Sequence, residues 1–150
     1  MIRSDPHPRS SEAGFTLIEV LVVALVLGIL AAIALPTFLG QQRKAQDADA
    51  KSNARNLVSH VEACRTASED YTFCDTVVEL DAAASTGLPV VDGAPTTDGT
   101  VGVAAATRDS YTVTAQSRHA SALFSIERTD TGDRLRTCTG TGGGCRGGTW

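Results

Sequence analysis

Residues 11–36, SEAGFTLIEVLVVALVLGILAAIALP, decide how the rest of the chain is read. From Val20 to Gly40 there is no charged side chain, and a run of that length can cross a hydrocarbon core of about 30 Å. One carboxylate interrupts the apolar segment. Glu19 lies just inside it, four residues after the segment opens at Phe15. An acid at membrane depth costs about 2.5–3.5 kcal/mol on insertion scales, so it persists where it is paired or useful.

Beyond Pro36 the helical signal continues in a different form. Gln41–Cys64, QQRKAQDADAKSNARNLVSHVEAC, is amphipathic, with Ala54, Leu57, Val61 and Cys64 along one stripe. A helix from Phe15 to about Arg65 would be roughly 75 Å long. That exceeds a membrane span, so its second half must enter water and lay its stripe on something. Pro36 falls inside this helix, removes one hydrogen bond and crowds the carbonyl of Ala32, which predicts a kink or local melting. On the other side, residues 1–14 are polar, hold Pro6 and Pro8, and are expected to form no regular structure.

The remainder reads as a small mixed head. Residues 67–100 form an irregular connection with one short helical candidate, Thr76–Ala84, followed by the turn-rich STGLPVVDGAPTTDG. Period-two patterns follow at Ser110–Gln116 and Ala122–Thr129. The turn Asp130–Asp133 then leads into Arg134–Cys138, and a weaker strand lies at Val101–Ala105. The glycine-rich end, TGTGGGCRGGTW, reads as a loop held by cysteines and closed by Trp150. The expected fold is α+β: a long kinked N-terminal helix whose exposed half packs on three to four antiparallel strands. The expected divisions are a leader (1–14), a membrane-spanning helix (15–40) and a soluble head (41–150). The head comprises an amphipathic helix (41–65), a connecting loop (66–100) and a meander with its cysteine loop (101–150).

Composition narrows the function. The chain has 150 residues, 42% hydrophobic and 20% charged, with a net charge of −4; that gives no footprint for nucleic acid and argues against it as a partner. Charge is unevenly spread. Between Thr66 and Thr100 there are seven acids and no Lys or Arg, whereas from Arg108 onward six arginines outnumber four acids. This is either ordinary solvated surface or a pair of complementary patches between copies in an assembly.

Four cysteines, Cys64, Cys74, Cys138 and Cys145, contain no CxxC pair, which argues against zinc or thioredoxin-like chemistry. They allow three connectivities. The local one, Cys64–Cys74 with Cys138–Cys145, demands least of the fold. Disulfides would place the head in an oxidising compartment outside the cytoplasm.

Other short patterns have ordinary readings. Asp47-x-Asp49-x-Lys51 begins like a calcium loop, but Ser52 stands where glycine is needed and Val58 where the closing Glu should be; it reads as a solvated helix face. Asp130-Thr-Gly reads as a hairpin turn. His7, His60 and His119 have no metal-like spacing. No catalytic constellation emerges, and no cofactor or metal is expected.

Two processing schemes compete at the N-terminus. Signal peptidase could use the small-residue site Ala32-Ile33-Ala34 and release residues 35–150 as a secreted, disulfide-stapled binding module. Alternatively, cleavage after Gly14 leaves the apolar helix on the product. GFTLIEVLVVALVLGILAAIALP resembles the type IV pilin signature: Gly, then Phe-Thr-Leu-Ile-Glu-Val, a hydrophobic helix and Pro. The resemblance covers about residues 14–43 and extends to the secretion pseudopilins, while beyond residue 65 it is architectural only. It implies the type IV pilin fold and a structural subunit rather than an enzyme. It further implies cleavage between Gly14 and Phe15 by a prepilin peptidase, N-methylation of Phe15, and self-assembly through the N-terminal helices. In that scheme Glu19 meets the amine of a neighbouring copy. The implied partners are further copies of the chain, the peptidase, the assembly platform with its ATPase, and inner-membrane lipid before assembly. The implied destination is a surface filament, or, for a pseudopilin of a type II secretion or competence system, a short periplasmic piston. Charge counting points the other way, since Arg3 and Arg9 in the leader are outnumbered by Arg43, Lys44, Lys51 and Arg55 beyond the span. The cysteines and the resemblance both place the head outside.

Overall fold

The computed structural model of the chain describes residues 14–140 and 143–150; most of the expected leader lies outside the described residues. A single helix, α1 (Leu17–Ser68), carries the N-terminal part and continues through Pro36 as one assigned run. It begins two residues later than the apolar pattern predicts because Thr16 caps it. The Glu19 amide donates to the Thr16 carbonyl at 3.1 Å and lies 3.3 Å from the Thr16 hydroxyl, satisfying a donor that the first turn leaves free. At the other end the Ser68 hydroxyl donates to the Cys64 carbonyl at 3.3 Å. Glu69 then turns left-handed, with φ 58°, and stops the helix.

The chain divides into two compact units, the first ending at Phe38 and the second spanning Leu39–Trp150. In the second unit α1 buries Asp47, Ala50, Ala54, Leu57, Val58, Val61 and Cys64. That row includes the whole expected stripe. The row meets a five-stranded sheet, in spatial order β1 (Val90–Asp92), β2 (Val101–Ala106), β3 (Tyr111–Gln116), β4 (Leu123–Arg128) and β5 (Arg134–Thr139). Strands β2 to β5 form the antiparallel meander. Tyr111, Val113 and Ala115 of β3 and Phe124 and Ile126 of β4 supply the core opposite the helix, as period-two side-chain alternation requires.

Two elements depart from expectation. The connection before the meander is more ordered than its turn residues suggest: it holds a 3₁₀ turn, Tyr71–Phe73, as well as α2 (Val77–Ala83), capped by Thr76 with a reciprocal contact from Glu79. It also contributes β1, which pairs parallel to β2, so the sheet is not wholly antiparallel. Gly102 makes that pairing possible. A Cβ there would lie 2.1 Å from the Gly93 carbonyl oxygen and 2.5 Å from that of Val91, so only glycine admits the approach of β1.

Candidate functional site

Gly14 and Phe15 precede α1 and are exposed, Phe15 by 81%. A Cβ at Gly14 would touch nothing within 4 Å, so the bond between them stands clear of the rest of the described chain. Within α1, Phe15, Glu19, Val20 and Val23 border one shallow notch of about 150 Å³. Every large apolar side chain from Phe15 to Leu39 is between 48% and 82% exposed. An apolar surface of that extent marks contact with a membrane or with another protein. Glu19 is the one acid in that span, one helical turn beyond Phe15. The capping residue Thr16 escaped the sequence reading, although Thr16-x-x-Glu19 has the spacing of a capping box.

The four cysteines form two bonds, Cys64–Cys74 and Cys138–Cys145. The first ties the end of α1 to the 3₁₀ turn. The second closes the glycine-rich loop beside β5, whose Cys138 amide also donates to the Gly148 carbonyl at 2.8 Å.

A second cluster, centred on Glu62, holds α1 to the sheet. Its carboxylate accepts the hydroxyls of Tyr71 and Tyr111, each at 2.9 Å. It also accepts a guanidinium N–H of Arg134 at 2.9 Å, with Arg128 at 3.7 Å. Burial works to raise the Glu62 pKa, but the tyrosine hydrogen bonds and the Arg134 charge outweigh it and hold the group below the ordinary carboxylate range. The same contact, together with burial as the larger cause, pushes both tyrosines up. Glu62 was legible only by position: it continues the buried Ala54–Val58 row at the next interval of four.

Asp47 corrects the expectation of a solvated helix face. It is 2% exposed and accepts the Ser117 hydroxyl at 2.6 Å, while Lys51 donates to the Gly143 carbonyl. The predicted turn at Asp130–Asp133 forms between β4 and β5, with Gly132 at φ 91°. Among the described residues no group of three His, Cys, Asp or Glu side chains is placed to hold a metal.

Residues 9–35 match the family described as the prokaryotic N-terminal methylation motif. Over 51 residues the chain is 45% identical to the type IV major pilin protein PilA of Myxococcus xanthus, a stretch covering 34% of this chain and 22% of that one. It is 42% identical over 59 residues to a fimbrial protein of Pseudomonas aeruginosa, covering 39% and 34% of the two chains. It is 45% identical over 42 residues to the type II secretion system core protein G of Aeromonas hydrophila, covering 28% and 29%. The matches thus span about a fifth to a third of these relatives' lengths. No solved structure gives a significant match. The methylation motif overlaps the start of the uncovered apolar helix, and the α+β head follows it in the chain. In its N-terminal motif and helix the chain is similar to the type IV pilins and the secretion pseudopilins. None of the relatives' names is that of an enzyme.

Proposed function

We propose that the chain is the precursor of a structural subunit of a type IV pilus. A prepilin peptidase cuts between Gly14 and Phe15 and methylates the new amine. The apolar helix holds the product in the inner membrane until the assembly platform and its ATPase draw it into a surface filament. The observation that carries this reading is an entirely uncovered apolar helix bearing one acid, Glu19, a single turn from the cleavage point.

The chemistry follows from charge in an apolar medium. Cleavage creates an α-amine on Phe15, charged at neutral pH in water. Before assembly, Glu19 is within one turn of it, and the positive end of the helix favours the carboxylate there. In the filament the carboxylate meets the amine of a neighbouring copy. A subunit out of axial register leaves a charge buried and unpaired, at a cost of about 3–5 kcal/mol, so the pair sets the stagger of packed helices. Pro36 supplies the point at which a packed helix bends or melts.

A second reading, a pseudopilin, draws support from the likeness to a secretion core protein G. The disulfide-closed loop Cys138–Cys145 favours the pilin. Surface fibres sheared from cells and resolved by mass spectrometry test the choice. Fibres made mainly of this chain are expected; a chain confined to the periplasm beside a secretion apparatus would support the pseudopilin instead.

A further inference from the structure

We propose that neighbouring heads dock through opposite edges of the sheet, the cationic surface around Trp150 at the β5 edge of one copy receiving the acidic surface of α2 and β1 on the next. This rests on the polymer reading above and names the contact that the heads make.

The cationic surface is built, not incidental. The Trp150 indole N–H donates to the Ser125 carbonyl at 3.2 Å, and the ring stands edge-on to Phe124, with centroids 5.9 Å apart. Three cations converge on that fixed ring: Arg55 at 5.0 Å, Arg136 at 5.3 Å and Lys51 at 5.5 Å. The ring's π-face attracts each of them, but they repel one another. Among the described residues the ion pairs are Arg65–Asp109, Arg128–Glu62 and Arg134–Glu62, so none of the three has a carboxylate within reach.

The opposite edge carries the complementary excess. Asp75, Glu79 and Asp92 gather where α2 meets β1, exposed Asp81 lies further along α2, and the Asp92 carboxylate accepts the Val77 amide at 2.7 Å. Burial first, and then the neighbouring Glu79 and Asp92 charges, hold Asp75 above the usual carboxylate range. No Lys or Arg occurs between Thr66 and Thr100 to relieve them. Strand order puts β1 and β5 at the two ends of the sheet, so the excesses are carried on separate edges. Contact of unlike edges is head-to-tail, and a head-to-tail contact that does not close generates an open helical array. Beside the tail that covers Cys138, Arg134–Arg136 leaves a stretch of β5 edge exposed, with Leu135 49% accessible.

The test is charge reversal and rescue in the full chain. Arg55→Glu/Arg136→Glu reverses one surface and Asp75→Arg/Asp81→Arg the other; Glu79 and Asp92 are kept because they cap α2. Unchanged urea midpoints in detergent confirm that each variant folds. Each single-sided variant is expected to lower fibre number about tenfold at equal chain level, and the four-fold variant to recover to within about twofold of the parent. Fibres unaffected by either reversal, or not recovered by the combination, overturn the contact and leave the arginines as solvated guards of an edge strand. If the parent makes no fibres at all, the polymer reading fails separately. Sedimentation of the detergent-solubilised full chain then decides the contact. Salt-sensitive association that follows the same loss and rescue supports it, and absent or unaltered association overturns it.

Discussion

Glu19 and Glu62 are both carboxylates on α1 with opposite histories. Glu19 declares itself in the sequence because nothing around it is polar. The assembly role proposed for it is separable from processing. Glu19→Ala is expected to leave cleavage after Gly14 intact and to reduce fibres at least about tenfold, consistent with loss of a buried pair. Normal fibres from that variant, counted by electron microscopy, would remove its assigned role. Glu62 is silent in the sequence because its partners are remote, 49 residues away at Tyr111 and 72 at Arg134. Its hydrogen bonds to charged and hydroxyl donors predict that Glu62→Gln destabilises the head by about 1–3 kcal/mol, measured by urea unfolding in detergent. Its folded pKa lies below the ordinary value. The stability it contributes is therefore full above the unfolded value of about 4.3 and is lost as pH falls through the folded one. Acid titration of the parent should show that loss, and Glu62→Gln should flatten it. Asp47 teaches the same lesson as Glu62, since its hydroxyl partner Ser117 lies 70 residues on.

At the scale of elements, local chemistry made the helices and the meander readable. The capping box at Thr76 and Glu79 announces α2, and alternation announces β3 with its core face Tyr111, Val113 and Ala115. Strand β1 stayed hidden because it is three residues long, follows a proline and sits within a turn-rich stretch, pairing in parallel with a strand eleven residues on. Its evidence lay in Gly102, a glycine inside a strand, which marks close backbone approach. Gly102→Ala is expected to expel β1 from the sheet and cost about 2 kcal/mol or more; hydrogen exchange at Val101–Val103 should quicken. The disulfides belong to this scale as well. Cys64→Ser/Cys74→Ser frees the end of α1 from the 3₁₀ turn and should lower stability by about 2–3 kcal/mol in the chain-entropy account, read from the same unfolding curves.

For the whole molecule, the two compact units make different demands on their surroundings. The head buries its own core and ties it with two disulfides. From Phe15 to Leu39 no large apolar side chain is buried, and the one acid of that stretch, Glu19, stands near its start. The methylation motif falls at residues 9–35, whereas the head's packing depends on contacts that no short pattern encodes. The central claim is that the apolar helix stays on the mature chain with Glu19 one turn from a new amine. Intact mass and N-terminal sequencing of the chain purified from sheared surface fibres test it directly. The account predicts a chain beginning at Phe15 with one added methyl group. A mature chain beginning at Leu35 would contradict it.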